Sequence, residues 1–367
     1  MKFTVSQTSL ADAISVVQRG VATSSTLPIL TGVYVRAEDG VLEFQSSDYS
    51  TSIRHRIAAH VEDPGETVLP CKMLSNLIKT LPDAPVTFES DGSQVAITCL
   101  KTRVHLNALA ASDFPSFPAY DVESSVELPV DVLSDMAARV WRVVSTEKTR
   151  PLLNGIHMTV ENNTIRLVAT DAFRLAVCDT HVETSSLEGS FELNVPADAM
   201  NDALSIMRDE PQILVGSTDT QVVFEAGSTC YVSRKIEGVY PNYKQLIPAT
   251  CATRVKLDVE EFNAALKRVS VIAQTETTVR LDIDADAGLL TLTTASSQRD
   301  EAQETLEVEV EGASGTIAFN YRYIFGCLNV IGHEPQISLE LESYRSPGVF
   351  KLHGKIDYLY LIMPVRV

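Results

Sequence analysis

The residues best suited to chemistry are Thr170-Asp171, Cys178-Asp179 and His181, which set a hydroxyl, two carboxylates, a thiol and an imidazole within one short stretch. Such a cluster could supply nucleophile, base and acid, as in a hydrolase. The pair Thr170-Asp171 has a counterpart in Ser47-Asp48, 123 residues earlier, whereas the corresponding third position reads Thr294-Ala295. An Asp that caps backbone amides in a turn explains a repeated Ser/Thr-Asp pair without catalysis. The turn is the better reading, and no catalytic residue is assigned.

Other reactive patterns are missing. The chain has no GxxxxGK[ST], no Gly-x-Gly and no HExxH, so phosphate-loop, dinucleotide and zincin chemistries have no sequence support. Its seven histidines (55, 60, 105, 157, 181, 333 and 353) fall at no strong metal-ligand spacing. The six cysteines (71, 99, 178, 230, 251 and 327) are never closer than 21 residues and mostly lie in apolar runs, which predicts buried, reduced thiols. Neither a metal nor a cofactor is expected.

Six amphipathic segments must position whatever the chain does. Periodicity predicts helices over 6–20, 70–81, 129–145, 196–208, 258–274 and 320–331. In the third, Leu133, Met136, Ala137, Val140, Trp141 and Val144 form the buried stripe, with Arg142 opposite and Arg139 nearby. Lys72 and Lys79 oppose the stripe of the second helix, Lys267 and Arg268 that of the fifth, Arg322 that of the sixth and Arg19 that of the first. The whole chain carries 30 Lys+Arg against 48 Asp+Glu, a net charge of −18. The six helical segments hold nine basic and eight acidic residues, so the remaining surface is at −19. An acidic chain excludes a generic basic nucleic-acid binder or a membrane-surface protein unless its positive charge is segregated. Recurrent cations on equivalent helix faces are such a segregation. No apolar run approaches a membrane span, and the opening Met1-Lys2-Phe3-Thr4-Val5 has no signal-peptide core, so a soluble cytoplasmic protein is expected.

The helices belong to a threefold internal repeat. Leu30-Thr31-Gly32-Val33 recurs 123 residues later as Leu153-Asn154-Gly155-Ile156. Phe3, Leu128 and Leu257 open the copies at spacings of 125 and 129 residues. Val68-Leu69-Pro70, Asn194-Val195-Pro196 and Ala318-Phe319-Asn320 each lead into a second helix. Asp113-Phe114-Pro115-Ser116-Phe117 is answered by Val239-Tyr240-Pro241-Asn242-Tyr243. This period is too long for a solenoid unit, so each copy reads as a domain, over 1–123, 124–251 and 252–367. Alternating segments between the helices predict an α+β fold with two helices and six to eight mostly antiparallel strands per copy.

Three tandem copies with outward basic helix faces resemble the bacterial DNA sliding clamp family, the β subunits of DNA polymerase III. The resemblance covers the whole chain and rests on Leu27-Pro28-Ile29-Leu30, Leu153-Asn154-Gly155, Ala169-Thr170-Asp171 with Arg174-Leu175-Ala176, Tyr240-Pro241-Asn242-Tyr243, Phe319-Asn320 and Met363-Pro364-Val365-Arg366-Val367. It implies three clamp domains and a head-to-tail homodimer forming a six-domain ring around duplex DNA. The ring would be a processivity factor, not an enzyme, opened by a separate ATP-driven loader. It implies sequence-independent DNA contact through Lys72, Lys79, Arg139, Arg142, Lys267, Arg268 and Arg322, with Arg150 beside them. The dimer interface would set Val271 and Ile272 against Val104 and Leu106 of the partner copy.

The resemblance also implies a pocket for partner peptides between the second and third domains. Its positions are Leu153, Thr170, Phe173, Arg174, Leu175, Pro241, Gln245, Leu246, Asn320, Tyr323, Leu361 and Met363, with Val365 and Arg366 at its margin. The partners implied are the polymerase III α subunit, the clamp loader and other replication and repair proteins bearing clamp-binding peptides. Two positions depart from the family pattern: Ala197-Asp198 follow Pro196 where relatives often carry basic residues, and Ala172-Phe173 replace a Gly followed by His or Tyr. A repeat-built scaffold that binds proteins but not DNA is the alternative, separated from a clamp by the absence of a closed, basic-lined ring.

Overall fold

The computed structural model describes residues 1–24, 26–182, 190–272, 277–295, 301–331 and 334–365. Its helices are α1 (Gln7–Val17), α2 (Cys71–Thr80), α3 (Val130–Val140), α4 (Ala197–Ile206), α5 (Val259–Ser270) and α6 (Tyr321–Ile331). Each begins directly after a strand. The Ser6 hydroxyl caps α1 by accepting from the Ser9 amide at 3.1 Å, and the Asp258 carboxylate caps α5 from Glu261 at 2.9 Å. Several helices end earlier than periodicity predicts. After Val140 the backbone tightens into a 3-10 turn over Trp141–Val143, and α5 stops before Val271-Ile272. The β-branched runs there lose rotamer freedom in a helix, so the apolar period outlasts the helix itself.

The described residues form two compact units. One contains 1–131 and 198–235, the other 132–182, 190–197 and 236–365. In the first, a five-stranded sheet runs in the order His60–Asp63, Lys2–Ser6, Pro85–Ser90, Gln94–Cys99, Thr102–Asn107. Its eight-stranded sheet runs Ser124–Pro129, Gln212–Ser217, Gln221–Ala226, Thr229–Arg234, Thr51–Ala58, Val41–Ser47, Gly32–Glu38, Gly65–Pro70. The helix stripes of α1 and α2 (Leu10, Ile14, Val17, Leu74 and Ile78) are buried, as are the stacked rings of Phe3 and Phe88, 4.8 Å apart.

In the second unit a nine-stranded sheet runs Ser190–Pro196, Gly155–Glu161, Thr164–Thr170, Arg174–His181, Asp357–Ile362, Gly348–Leu352, Gln336–Leu341, Thr253–Asp258, Glu309–Glu311. A four-stranded sheet orders Glu301–Glu307, Leu289–Ala295, Thr278–Asp284, Gly315–Asn320. All described pairings are antiparallel, and among the described residues the three copies hold nine, eight and nine strands. The surplus over the predicted six to eight comes from pieces such as Glu309–Glu311, which are too short to display alternation.

The sheets do not stop at the repeats. Thr229–Arg234 of the second copy pairs with Thr51–Ala58 of the first, and Asp357–Ile362 of the third pairs with Arg174–His181 of the second. The halves of the middle copy therefore fall into different compact units. Five cysteines are buried and Cys251 is exposed; none of the six forms a disulfide.

Candidate functional site

The Thr170–Arg174 turn is built by its own side chains. Asp171 Oδ1 accepts from the amides of Phe173 and Arg174, both at 3.0 Å, while the Thr170 hydroxyl donates to the Arg174 carbonyl at 2.7 Å. Ala172 adopts φ 75° between them. The first copy repeats this arrangement. Asp48 Oδ1 accepts from Ser50 and Thr51 at 2.9 and 2.7 Å, and Tyr49 takes φ 72°. Asp171 and Asp48 are thus turn-forming residues.

The remaining candidates for hydrolase chemistry are occupied or inaccessible. Burial removes the Cys178 thiol from solvent and pushes its pKa up, the reverse of what a nucleophile needs. Asp179 is held by the Arg166 guanidinium at 2.6 and 2.7 Å, and His181 is exposed at the strand end. The cluster is a strand and its turn.

That turn meets three other segments. Strand pairing sets Leu175 against Leu361 and Arg174 against Ile362. Beyond the strand, the Met363 amide donates to the Phe173 carbonyl at 2.9 Å, and the Val365 amide donates to Ala318 at 2.8 Å, just before Asn320. The guanidinium of Arg174 lies 4.8 Å over the Tyr323 ring of α6. Leu175, Leu361, Tyr240 and Tyr243 share a buried cluster, which seats the turn Tyr243–Leu246 and so places Gln245 and Leu246 beside it.

These contacts leave an uneven surface. Phe173, Leu246, Met363 and Val365 are exposed apolar side chains, at 56%, 45%, 40% and 38%. Thr170, Leu175 and Leu361 are buried, and Pro241 and Gln245 are exposed. Leu153 is buried at the end of the turn Pro151–Asn154, its carbonyl accepting from Ser145 at 2.7 Å. The Asn320 side chain accepts from the Arg322 amide at 3.0 Å, ahead of the first turn of α6. Arg366 lies outside the described residues. Sequence reasoning missed Tyr360, whose hydroxyl accepts from Arg174 Nη1 at 3.1 Å, and Gly326 on α6. Nothing local marks either one.

The helix cations divide into those without and those with an ion pair among the described residues, Arg142 lying 5.5 Å over the Trp141 ring. Lys72, Lys79, Arg142, Lys267 and Arg322 are exposed and form no ion pair among the described residues. Arg268 is held by Glu304, with Nε 2.8 Å from Oε2. Arg150 lies 3.5 Å from Glu147. Arg19 is engaged by Asp202 and Ser205 of α4 at 2.6 and 2.9 Å.

Arg139 corrects the sequence reading. It is only 9% exposed, its contact to Asp135 is a weak 3.4 Å, and Tyr358 of the last strand donates to its carbonyl at 3.2 Å. A strand from another repeat covers this flank of α3, which the periodicity of one helix cannot reveal. Arg139 is therefore withdrawn from the DNA-facing set. Replacing Arg139 by Glu should destabilise the fold by about 3 kcal/mol, because an unpaired carboxylate would be buried at this position with the exposed Asp135 carboxylate beside it. Thermal melting of this variant checks it, with an unchanged transition as the contrary result.

Comparison with known proteins agrees along the whole length. Models of the DNA polymerase III β subunit N-terminal, central and C-terminal domains match residues 1–118, 127–242 and 244–366. The chain belongs to the DNA polymerase III β subunit family. The β sliding clamp of Synechococcus elongatus is 29% identical over 374 residues, covering 100% of both chains. The solved DNA polymerase sliding clamp of Bacillus subtilis is 28% identical with a TM-score of 0.92, covering 100% of this chain and 99% of that one. The solved DNA polymerase III β subunit of Thermotoga maritima is 27% identical with a TM-score of 0.91, over 100% of this chain and 99% of its own.

Within this β subunit fold, the sheet edges include Thr102–Asn107 and Glu301–Glu307. Among the described residues Thr102–Asn107 pairs with Gln94–Cys99 on one side alone; Arg103 and His105 are exposed, while Val104 and Leu106 are half-buried. Glu301–Glu307 ends the four-stranded sheet with Glu301, Gln303, Thr305 and Glu307 exposed. Val271, 62% exposed, and Ile272 follow α5 immediately. The alternation of exposed Glu301, Gln303, Thr305 and Glu307 with Ala302, Glu304 and Leu306 is a strand signal absent from the sequence reading. No described helix is long and apolar enough to cross a membrane.

Proposed function

We propose that two copies close head to tail into a ring that encircles duplex DNA and tethers a polymerase to its template. The observation that carries this reading is the run of three consecutive β subunit matches from residue 1 to 366. The chain is a DNA sliding clamp, a processivity factor of DNA replication, and its repeats over 1–123, 124–251 and 252–367 are the clamp domains. Lys72, Lys79, Arg142, Lys267 and Arg322 face the DNA, with Arg150 and Arg268 as partly neutralised neighbours. An acidic exterior with a few free cations attracts phosphates without reading bases. Contact with few phosphates is loose enough for sliding, and its salt dependence is shallow.

The surface around Phe173, Leu246, Met363 and Val365 takes partner peptides carrying a Gln and apolar residues. Exposed apolar side chains over a buried floor that includes Thr170, with Gln245 and Asn320 at hand, suit that ligand. The polymerase III α subunit, the clamp loader and other replication or repair proteins are the proposed bearers. The chain itself performs no turnover in this reading.

The decisive experiment is retention on plasmid after loading. A ring stays on circular DNA and runs off the same plasmid once linearised, whereas equal retention on both contradicts a topological clamp. Replacing Arg142 and Lys267 together by Glu should cut retention about tenfold or more while leaving the dimer intact, because four charge units change per chain on a weakly charged face. Undiminished retention would reduce these cations to ordinary solvated surface.

A further inference from the structure

Gly326 stands midway along α6, where alanine is the better helix former. A Cβ at this position would lie 2.9 Å from Arg174 Nη1, which would have to shift, and 3.0 Å from the Tyr360 hydroxyl, which would have to give by a few tenths of an ångström. Those two atoms are hydrogen-bonded to each other at 3.1 Å. The rest of the guanidinium is also engaged: Nε donates to Asp171 Oδ2 at 2.9 Å and Nη2 to the Arg142 carbonyl at 2.8 Å, with the Tyr323 ring 4.8 Å away. The Arg174 side chain is 16% exposed, so this is a fitted slot.

We propose that Gly326 and Tyr360 are positioning residues for the peptide pocket, acting through Arg174. The inference rests on reading this surface as the peptide site. The missing Cβ of Gly326 leaves room for the guanidinium, and Tyr360 accepts one of its hydrogen bonds. So held, Arg174 ties the Thr170–Arg174 turn to α6 and to the Arg142 backbone, and fixes the position of Phe173 relative to Tyr323. Its charge is satisfied within the protein by Asp171, so Arg174 supplies shape to the pocket and no free cation. An added methyl displaces the far end of a flexible side chain, which α6 survives but the preorganised turn does not.

A double-mutant cycle tests this on the full-length dimer, read by fluorescence anisotropy of a labelled synthetic peptide with a Gln followed by apolar residues. Gly326→Ala should weaken binding roughly threefold to tenfold, the penalty of ordering one or two side chains on binding. Tyr360→Phe, which leaves α6 untouched, should weaken it in the same direction. In an Arg174→Ala background, Gly326→Ala should change nothing further, because no guanidinium remains to be displaced. Sedimentation and circular dichroism should show dimer and helix content retained in each variant. Wild-type affinity in Gly326→Ala, or losses that add in the double variant, would overturn the proposal while leaving the pocket in place. Failure of the wild-type dimer to bind the peptide would overturn the pocket reading itself, before any variant is compared.

Discussion

Removing residues 363–367 should cost about a hundredfold in affinity for a clamp-binding peptide while dimer and fold persist. The reason lies in how the chain end is held. Met363 and Val365 are tied by backbone bonds to Phe173 and Ala318, so their apolar side chains are presented at 40% and 38% exposure by an ordered segment. Covering two such half-exposed side chains contributes about 2–3 kcal/mol, which corresponds to roughly a hundredfold in Kd. The strand Asp357–Ile362 ends before the cut, so the sheet that buries Tyr358, Tyr360 and Leu361 is untouched. Anisotropy with the labelled peptide measures the loss, and sedimentation confirms the dimer. Full-strength binding by the truncated protein would move the peptide site elsewhere.

Replacing Val271 and Ile272 together by Ala should turn the dimer into monomers at micromolar concentration. Val271 is an exposed apolar side chain, at 62%, immediately beyond α5. The open edge Thr102–Asn107 displays Arg103 and His105, and the open edge Glu301–Glu307 displays Glu301 and Glu307. Antiparallel addition of one copy's edge to the other's would bring opposite charges together and satisfy backbone groups that otherwise invite aggregation. Truncating the two apolar side chains removes about 3 kcal/mol per interface. A head-to-tail ring has two identical interfaces, so the loss is felt twice. Sedimentation velocity reads the outcome directly, and an unaltered dimer would show that these residues lie outside the interface.

Where sequence reading succeeded, the determining physics was local or repeated. Every predicted helix exists because its apolar residues recur at helical spacing beside a strand. The turn role of Asp171 was legible because Asp48 repeats it and because an Asp two residues before free amides caps them irrespective of the fold around it. Helix ends were misjudged where apolar period and β-branching disagree, as at Val143-Val144 and Val271-Ile272. The very short strand Glu309–Glu311 was invisible for want of length.

By itself, then, the sequence determined the threefold repeat, the six amphipathic helices, the antiparallel strand class and the net charge of −18. Each of these is written in the spacing or composition of the chain. Only the tertiary structure decided that sheets run through the repeat boundaries, pairing Arg174–His181 with Asp357–Ile362. The same long-range pairing brings Tyr358 over Arg139 and withdraws that cation from the surface, and it brings Tyr360 and Gly326 around Arg174. Burial depends on which atoms arrive from distant parts of the chain. No periodicity within a single helix or strand carries that information.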